Sequence, residues 1–563
     1  MRVLLVVPRL TSAPGQFMEF PLGLAYISSV LKKAGHEVKC LDLNIRWGSL
    51  DDEMRSFVKF SPQLIGTGGL SPYYSAIQAV LVASRKIIPS AIRVVGGSVL
   101  SGDPKTSFTI LDADIGVIGE GEITMLDLAA RIDGAERFSD VLGLVTRGLD
   151  GSDVFSANRA PIEDLDSLPM PDYKGFNLNH YLDLQSVNDG LYRYQFDVPR
   201  SAAVLTSRSC PLSCTFCFHP LGQKFRTRGL DSCFAEIEHL KDHYGINSIA
   251  IQDELFTTDK DRLYEFCGRI GPLNLKWNAP LRLKGLDLEM FRTMKENGCF
   301  CVACGIESMS HKVLSNLKKH VEPHEIEAAL NLIRKSGLNV VGNMIFGDEA
   351  ETEETAEETL SWWRMHPEFN IALRFITPYP GSELYRNSVE SNKITDPADY
   401  IKSGCPVINM TRMDKDGFGR LLAKVWGHHV NPTYHLKAQK VKCLRDDVSS
   451  LAHENDLYDI DFTCPSCSDL NSYKGFAIKS NMIHGCLPTI VCRICNQKML
   501  LFDYPQSSCS QDLQNLIKED SIVNDLYKEW GSLQGYSVND WLRRMTRYLD
   551  PQLLQEGQDQ CQS

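Results

Sequence analysis

At 563 residues the chain is too long for one domain; at roughly 150 residues per domain it holds three or four. Apolar residues at 43% and charged residues at 23% are ordinary globular proportions and exclude a disordered or fibrous chain. A net charge of −12 makes the whole chain a poor match for a phosphate backbone, so nucleic acid is not an expected partner. No run approaches the roughly 18 apolar residues of a membrane-spanning helix. The start, MRVLLVVPRL, reads on into a domain without the small-residue cleavage site of a signal peptide. A cytoplasmic protein is therefore expected.

In chain order, residues 1–150 alternate short apolar runs with helical patterns. The predicted strands are Arg2–Pro8, Glu37–Leu43, Leu64–Gly68, Arg93–Gly97 and Asp114–Ile118. An amphipathic stretch over Leu22–Ala34 stops at Gly35, a good helix C-terminal residue. Such alternation predicts a doubly wound, Rossmann-like parallel sheet whose ligands sit at the carboxyl ends of its strands. Several strands end in glycine, at Gly68-Gly69, Gly96-Gly97-Ser98 and Gly119-Glu120-Gly121-Glu122. Glycine there lets backbone approach a ligand closely, although tight turns alone account equally well for any single pair.

Residues 151–199 carry Pro161, Pro169 and Pro171 with weak periodicity and read as a connector. A second βα series follows over 200–395. Its strands are expected at Ala203–Thr206, Ser248–Gln252, Lys276–Arg282, Cys301–Ile306, Val340–Phe346 and Ala372–Thr377. Helices between them end at Gly298 and Gly337. Six βα units predict a partial (β/α)6 barrel with its chemistry at the strands' C-terminal ends. Residues 396–460 read as mainly helical, 461–503 as a small cysteine-rich module and 504–563 as a helical tail.

Cysteine usage is the anomaly. Eighteen cysteines in a chain of intracellular character suggest metal or catalysis more than disulfides. The sharpest cluster is Cys210, Cys214 and Cys217, just after the first strand of the second series. Three thiolates in one short loop are ligands for an iron–sulfur cluster, and a four-iron cluster held by three leaves one iron open. Buried structural cysteines are the weaker reading, because three in eight residues fill a core poorly.

The CxxxCxxC loop resembles that of the radical S-adenosylmethionine (SAM) superfamily, with Phe216 in the aromatic place that packs near the adenine. The resemblance extends over roughly 200–390. Asp253 and Glu254, after the second strand, occupy the place of acidic groups that contact the methionine amino end. Glu307, in Gly305–Ser308, follows the fourth strand where ribose or methionine contacts come. Ile345 opens a segment like the family's fifth-strand motif, with Ala350 replacing a usual glycine, and Thr377–Tyr385 resembles the segment after strand six. The implied chemistry is reductive cleavage of SAM on a [4Fe-4S] cluster, with a flavodoxin or ferredoxin as electron donor. The product radical takes hydrogen from an unactivated carbon; the cofactor performs the hard step.

With a doubly wound domain ahead of it, the chain is similar to cobalamin-binding, class B radical SAM enzymes. Phe20–Leu24, Gly96-Gly97-Ser98 and Gly119-Glu120-Gly121-Glu122 look like that domain's recurrent segments. The Asp-x-His-x-x-Gly motif that places histidine on cobalt is absent: none of the fourteen histidines has an aspartate two positions earlier. Members without it also bind cobalamin; a decayed pocket is the rival reading. Methylthiotransferases are disfavoured, since their N-terminal domain carries cluster cysteines and this one has only Cys40. The resemblance implies C-methylation of a small-molecule or carrier-bound intermediate, with cyclisation or oxidation as the alternative. A non-catalytic metal-stabilised adaptor is disfavoured by the intact cysteine spacing.

Cys464-x-x-Cys467 and Cys492-x-x-Cys495 form two knuckles separated by 24 residues. They read as a four-thiolate zinc ribbon, with Cys486 a substitute ligand and a second iron–sulfur cluster the rival. Lys474, Lys479, Arg493 and Lys498 are a thin phosphate footprint, so the module is expected to be a structural staple. Docking of a carrier protein or peptide is the alternative. Cys299, Cys301 and Cys304 are expected to pack the core, with Cys301 and Cys304 on opposite strand faces. His219 is expected to bond within its loop, Trp362 and Trp363 to pack a helix, and the acidic run Asp348–Glu358 to be a solvated helix start.

Overall fold

β1 (Arg2–Val7) is a run of aliphatic residues whose last five side chains are all buried, the signature of a strand covered on both faces. It pairs in parallel with β2 (Glu37–Asp42) on one side and β3 (Leu64–Gly68) on the other. β4 (Ile92–Gly96) and β5 (Ile115–Val117) extend the parallel sheet. β6 (Leu144–Arg147) and β7 (Asp153–Phe155) close it with antiparallel pairing, giving the order β2-β1-β3-β4-β5-β6-β7. The order in which successive strands are added reverses between β1 and β3, which makes the crevice above those two strands the ligand site of this topology. The computed structural model describes residues 1–11, 18–134, 140–185, 196–256, 259–366, 368–369, 371–430, 435–436, 440–443, 457–477, 489–495 and 498–501.

The parallel sheet matches expectation, while β7 falls within the stretch read as connector. Its three residues are half-buried or exposed, so no alternation of apolar and polar side chains announces it. Gly35 ends the helix Leu22–Lys33 with φ +87°, a conformation that favours glycine.

The chain divides into two compact units: residues 1–184, 200–256 and 377–405 in one, and 185–199, 257–376 and the described residues from 406 onward in the other. All six expected barrel strands are present. In the first unit β8 (Ser201–Val204) precedes a short hairpin of β9 (Ser207–Arg208) and β10 (Arg226–Thr227), and β11 (Ser248–Ile251) pairs in parallel with β8. The cysteine loop spans the hairpin.

In the second unit β12 (Lys276–Leu281), β13 (Cys299–Glu307), β14 (Asn339–Phe346) and β15 (Ile371–Phe375) pair successively in parallel. Trp277 packs edge-on against Phe266 of the helix Lys260–Ile270 and donates its Nε1–H to Asn297 O at 2.9 Å. That contact turns one face of β12 toward the helices and leaves Asn278 and Pro280 on the other. Cys301 is in register with Asn278 and Cys304 with Leu281, so the two thiols lie on opposite faces. Cys299, Cys301 and Cys304 are all buried, as core packing requires. Gly298 and Gly337 end their helices with φ +93° and +78°.

Residues 396–460 are less helical than expected. Helices Pro397–Lys402 and Lys415–Val430 are followed by β16 (His435–Leu436), β17 (Lys440–Cys443) and the start of β18 (Leu457–Thr463). β17 and β18 pair with each other and then with β19 (Leu470–Ala477), a non-local arrangement that short segments do not advertise. β20 (Thr489–Val491) and β21 (Lys498–Leu501) complete the module around Ile460, Phe462, Tyr473, Phe476, Ile490 and Met499. The expected tail over 504–563 and Cys486 lie outside the described residues.

At the crevice, a Cβ on Gly68 would lie 2.3 Å from the Gly96 carbonyl oxygen, so β3 and β4 end closer together than any side chain permits. Gly68→Ala is expected to lose about 1–3 kcal/mol, as overpacking does, whereas Gly23→Ala, with open space around it in a helix, is expected to be neutral or stabilising. Urea unfolding of both variants checks the contrast.

Candidate functional site

The loop that carries Cys210, Cys214 and Cys217 has no regular structure of its own, and its shape is set by four ties. Asp253, past the end of β11, accepts from the Thr206 backbone N–H at 2.7 Å and from its Oγ1–H at 2.5 Å. Burial pushes the Asp253 carboxyl up to about 6, against these hydrogen bonds, which pull it down. His219 bonds Glu254 at 2.5 Å and the Leu212 carbonyl at 3.2 Å. The hydrogen bond to Glu254 raises the imidazole above its ordinary value despite partial burial. The Leu384 N–H donates to Thr215 O at 2.9 Å, and a Cβ on Gly381 would meet the Phe218 ring at 2.4 Å. Ser209, at the loop entrance, takes a left-handed conformation with φ +70°. Cys214 is buried; Cys210, Cys217 and Phe216 are half-buried.

Soft thiolates with access to a ligand are what an iron–sulfur cluster requires, and three of them leave one iron for a small molecule. The donor set fits. Asp253 and Glu254 flank the loop, yet each carboxylate already serves a loop residue, Thr206 or His219.

Around the switch point, Gly97 has φ +83° with the Gly69 carbonyl oxygen 2.9 Å from a notional Cβ, and Ser98 opens a short helix. Gly119 has φ +79° and nothing within 4 Å of a notional Cβ, and its N–H donates to Ser101 Oγ at 3.0 Å. Leu70 and Tyr73, just after β3, are 53% and 37% exposed. Exposed large apolar side chains beside glycine turns suit a broad, mostly apolar ring; only their exposure signals them, so sequence reading missed them. His36, the one histidine before residue 180, bonds the Met1 amino group at the opposite ends of the strands.

The Glu120 side chain is engaged by two buried arginines. It bonds Arg208 Nη1 at 2.8 Å and Arg226 Nη1 at 2.9 Å, and accepts from the Ile162 N–H at 2.5 Å. Glu122 takes the other Arg208 nitrogen at 2.6 Å, and the Arg208 guanidinium lies 5.4 Å from the Tyr26 ring centre. All four charged side chains are buried. Glu120 and Gly121 start the helix Gly121–Asp133, whose N-terminal dipole favours the carboxylates.

In the second unit Glu307 is buried, has φ +65° and pairs with Lys319 at 2.7 Å. Ile345 is half-buried in register with Arg374. The acidic run differs from expectation. Helix Glu353–Met365 does begin there, capped by Thr352, but Asp348 and Glu351 fold inward and are almost fully buried. Asp348 accepts from Asn316 Nδ2 and the Ala350 N–H, and Glu351 accepts from Thr355. Burial raises both carboxyls, that of Glu351 to about 7. Trp363 Nε1 donates to Ile371 O at 2.9 Å, fastening that helix to β15 as expected.

The second thiol cluster is compact. The sulfurs of Cys464, Cys467, Cys492 and Cys495 all lie within 4.8 Å of one another, with 3.6 Å for the pairs Cys464–Cys495 and Cys467–Cys492. Ser466 and Ile494 N–H groups and Asn471 Nδ2 point at the sulfurs of Cys464 and Cys492 at 3.4 Å. Tetrahedral zinc with bonds near 2.3 Å sets neighbouring sulfurs about 3.8 Å apart, so this set fits one ion. A four-iron cube seats each sulfur on a different metal and needs wider spacing. Arg493, between two of these cysteines, pairs with Asp197 at 2.5 Å and lies over the Tyr473 ring at 4.0 Å.

Residues 12–129 match the B12 binding domain model, and residues 204–362 match the radical SAM superfamily model. Among curated relatives, an uncharacterized methyltransferase of Pyrococcus horikoshii is 29% identical over 441 residues, covering 76% of this chain and 92% of that protein. Cytidylyl-2-hydroxyethylphosphonate methyltransferase of Streptomyces wedmorensis is 29% identical over 434 residues, covering 68% and 80%. Among solved structures, the radical SAM methyltransferase TsrM of Kitasatospora setae, with cobalamin and a [4Fe-4S] cluster bound, aligns with TM-score 0.57 and 20% identity over 69% of this chain and 75% of that one. The chain carries a B12-binding domain ahead of a radical SAM domain. It is a cobalamin-binding radical SAM enzyme, which uses a [4Fe-4S] cluster and SAM.

The raised Glu351 carboxyl has a measurable consequence. Unfolded, it ionises near 4.5; folded, it keeps its proton to about 7, so its contribution to stability falls as pH rises through that window. Glu351→Gln is expected to remove this slope and to leave the variant roughly 1–3 kcal/mol more stable than wild type, relative to their difference at pH 4.5, once pH exceeds 7. Denaturant titrations at pH 5, 6, 7 and 8 measure the difference.

Proposed function

We propose that this enzyme is a C-methyltransferase that acts on an unactivated carbon of a small-molecule or carrier-bound intermediate. The single observation that carries this reading is the union, in one chain, of a B12-binding domain with a three-cysteine radical SAM loop. Methyltransferase relatives that match most of its length support it.

In this reading Cys210, Cys214 and Cys217 hold the cluster, and the turns at Gly96, Gly97, Ser98, Gly119, Glu120 and Gly121 cradle the corrinoid. When bound, the cluster supplies the electron that cleaves SAM and the corrinoid carries the methyl group. The chain supplies position. Phe216 offers a face for the adenine. Asp253 and Glu254 act on SAM through the loop they brace, Glu307 presents a carboxylate already fixed by Lys319, and Ile345 offers an apolar side chain on its strand. Apolar Leu70 and Tyr73 exclude water from the corrin side. A flavodoxin or ferredoxin delivers the electron. The domain limits that go with this reading are 1–150 for cobalamin, 200–395 for the radical SAM core and 461–503 for a zinc module held by Cys464, Cys467, Cys492 and Cys495. No described helix is long and apolar enough to cross a membrane.

Anaerobic protein reconstituted with iron and sulfide, given cobalamin, dithionite and methyl-labelled SAM, is expected to release 5′-deoxyadenosine and to pass label into methylated product when offered candidate substrates. Product formed without label indicates cyclisation or oxidation instead; no 5′-deoxyadenosine at all defeats the reading. Cys214→Ala is expected to abolish 5′-deoxyadenosine release and to lose the cluster's iron while keeping zinc. Cys492→Ala is expected to lose about one equivalent of zinc and keep the cluster. Metal analysis of both variants checks this reciprocity.

A further inference from the structure

Buried charges need a reason. Glu120, Glu122, Arg208 and Arg226 are all buried, and replacing buried ion pairs with apolar groups is often neutral or stabilising, so stability alone explains them poorly. Their placement is informative. The two glutamates flank Gly121 at the end of β5, one of the glycine turns around the switch point. Arg208 lies on β9, two residues before Cys210, and Arg226 lies on β10, which closes the same loop. Arg208 spreads its two terminal nitrogens over Glu120 and Glu122, while Arg226 shares Glu120. A guanidinium fork bonded to two carboxylates fixes direction as well as distance, which a point charge does not. The ties through Asp253 and Glu254 fasten the cysteine loop to the segment after β11; this knot fastens it to the turn after β5.

We infer that the Glu120–Arg208–Glu122–Arg226 knot is a strut that sets the spacing between the corrinoid-holding turn and the cluster-holding loop, which makes these four positioning residues for the reaction. The inference rests on the proposed placement of the two cofactors. A lost strut loosens the distance between them without removing either one, and reactions between two bound groups fall steeply with misplacement of about 1 Å.

The test uses the full chain, reconstituted with iron and sulfide and loaded with cobalamin, as wild type, Arg208→Lys and Glu122→Gln. Pulsed dipolar EPR between cob(II)alamin and the reduced cluster reads the distance distribution directly, which a contribution to folding stability alone leaves unchanged. Expected are wild-type iron and cobalamin contents, with a distribution broadened or displaced by about 1 Å or more in both variants. Distributions that superimpose on wild type overturn the inference. If Arg208→Lys fails to hold a cofactor, Glu122→Gln, which leaves Arg208 bonded to Glu120, decides by the same criterion. Absence of cluster or corrinoid from the wild type itself defeats the functional reading, a separate outcome visible before any variant is made.

Discussion

A loop with three thiols in eight residues has neither a ladder nor a core to hold it, so neighbours must impose its geometry. Everything around Cys210–Cys217 answers that constraint. Asp253 grips the segment that feeds the loop, the His219–Glu254 pair spans its exit, Gly381 lets Phe218 settle against bare backbone, and buried arginines flank its two ends. The sheets provide rigid strand ends; the loop takes its form from what those ends present.

The same logic explains why so many carboxylates in both units face inward. Asp253, Glu120, Glu122, Glu307, Asp348 and Glu351 are all buried, and each has a donor or a cation beside it. Those with arginine or lysine partners act as charged struts. Asp253 and Glu351 have hydroxyl and amide partners instead, and their raised carboxyls mark places where burial outweighs hydrogen bonding. Backbone in both units is thus held by polar groups that are themselves shielded from solvent.

Much of this was legible in the residues. Fully covered strands such as β1 announce themselves as unbroken aliphatic runs, helix ends carry glycine, and two cysteine spacings point to two metal chemistries. What escaped notice depends on long-range pairing. β7 is three residues long and largely exposed, and β17 gains its identity only from β18. The acidic run after β14 looks solvated by composition, yet Asp348 and Glu351 turn inward to meet Asn316 and Thr355. Glu120 sits in a motif that reads as a ligand contact, and its carboxylate serves arginines 88 and 106 residues away. No local pattern encodes a partner at that separation.

The close approach of Gly68 to the Gly96 carbonyl, and of Gly97 to Gly69, has a bearing on how this scaffold can diversify. Neither turn has room for a side chain while the other keeps its path, so adaptation to a differently shaped guest cannot proceed by altering these glycines singly. Variation is channelled instead to positions with free volume and ordinary backbone, such as Gly23, and to the exposed Leu70 and Tyr73. A library aimed at new specificity belongs at those residues, with the closely packed paired turns left unchanged.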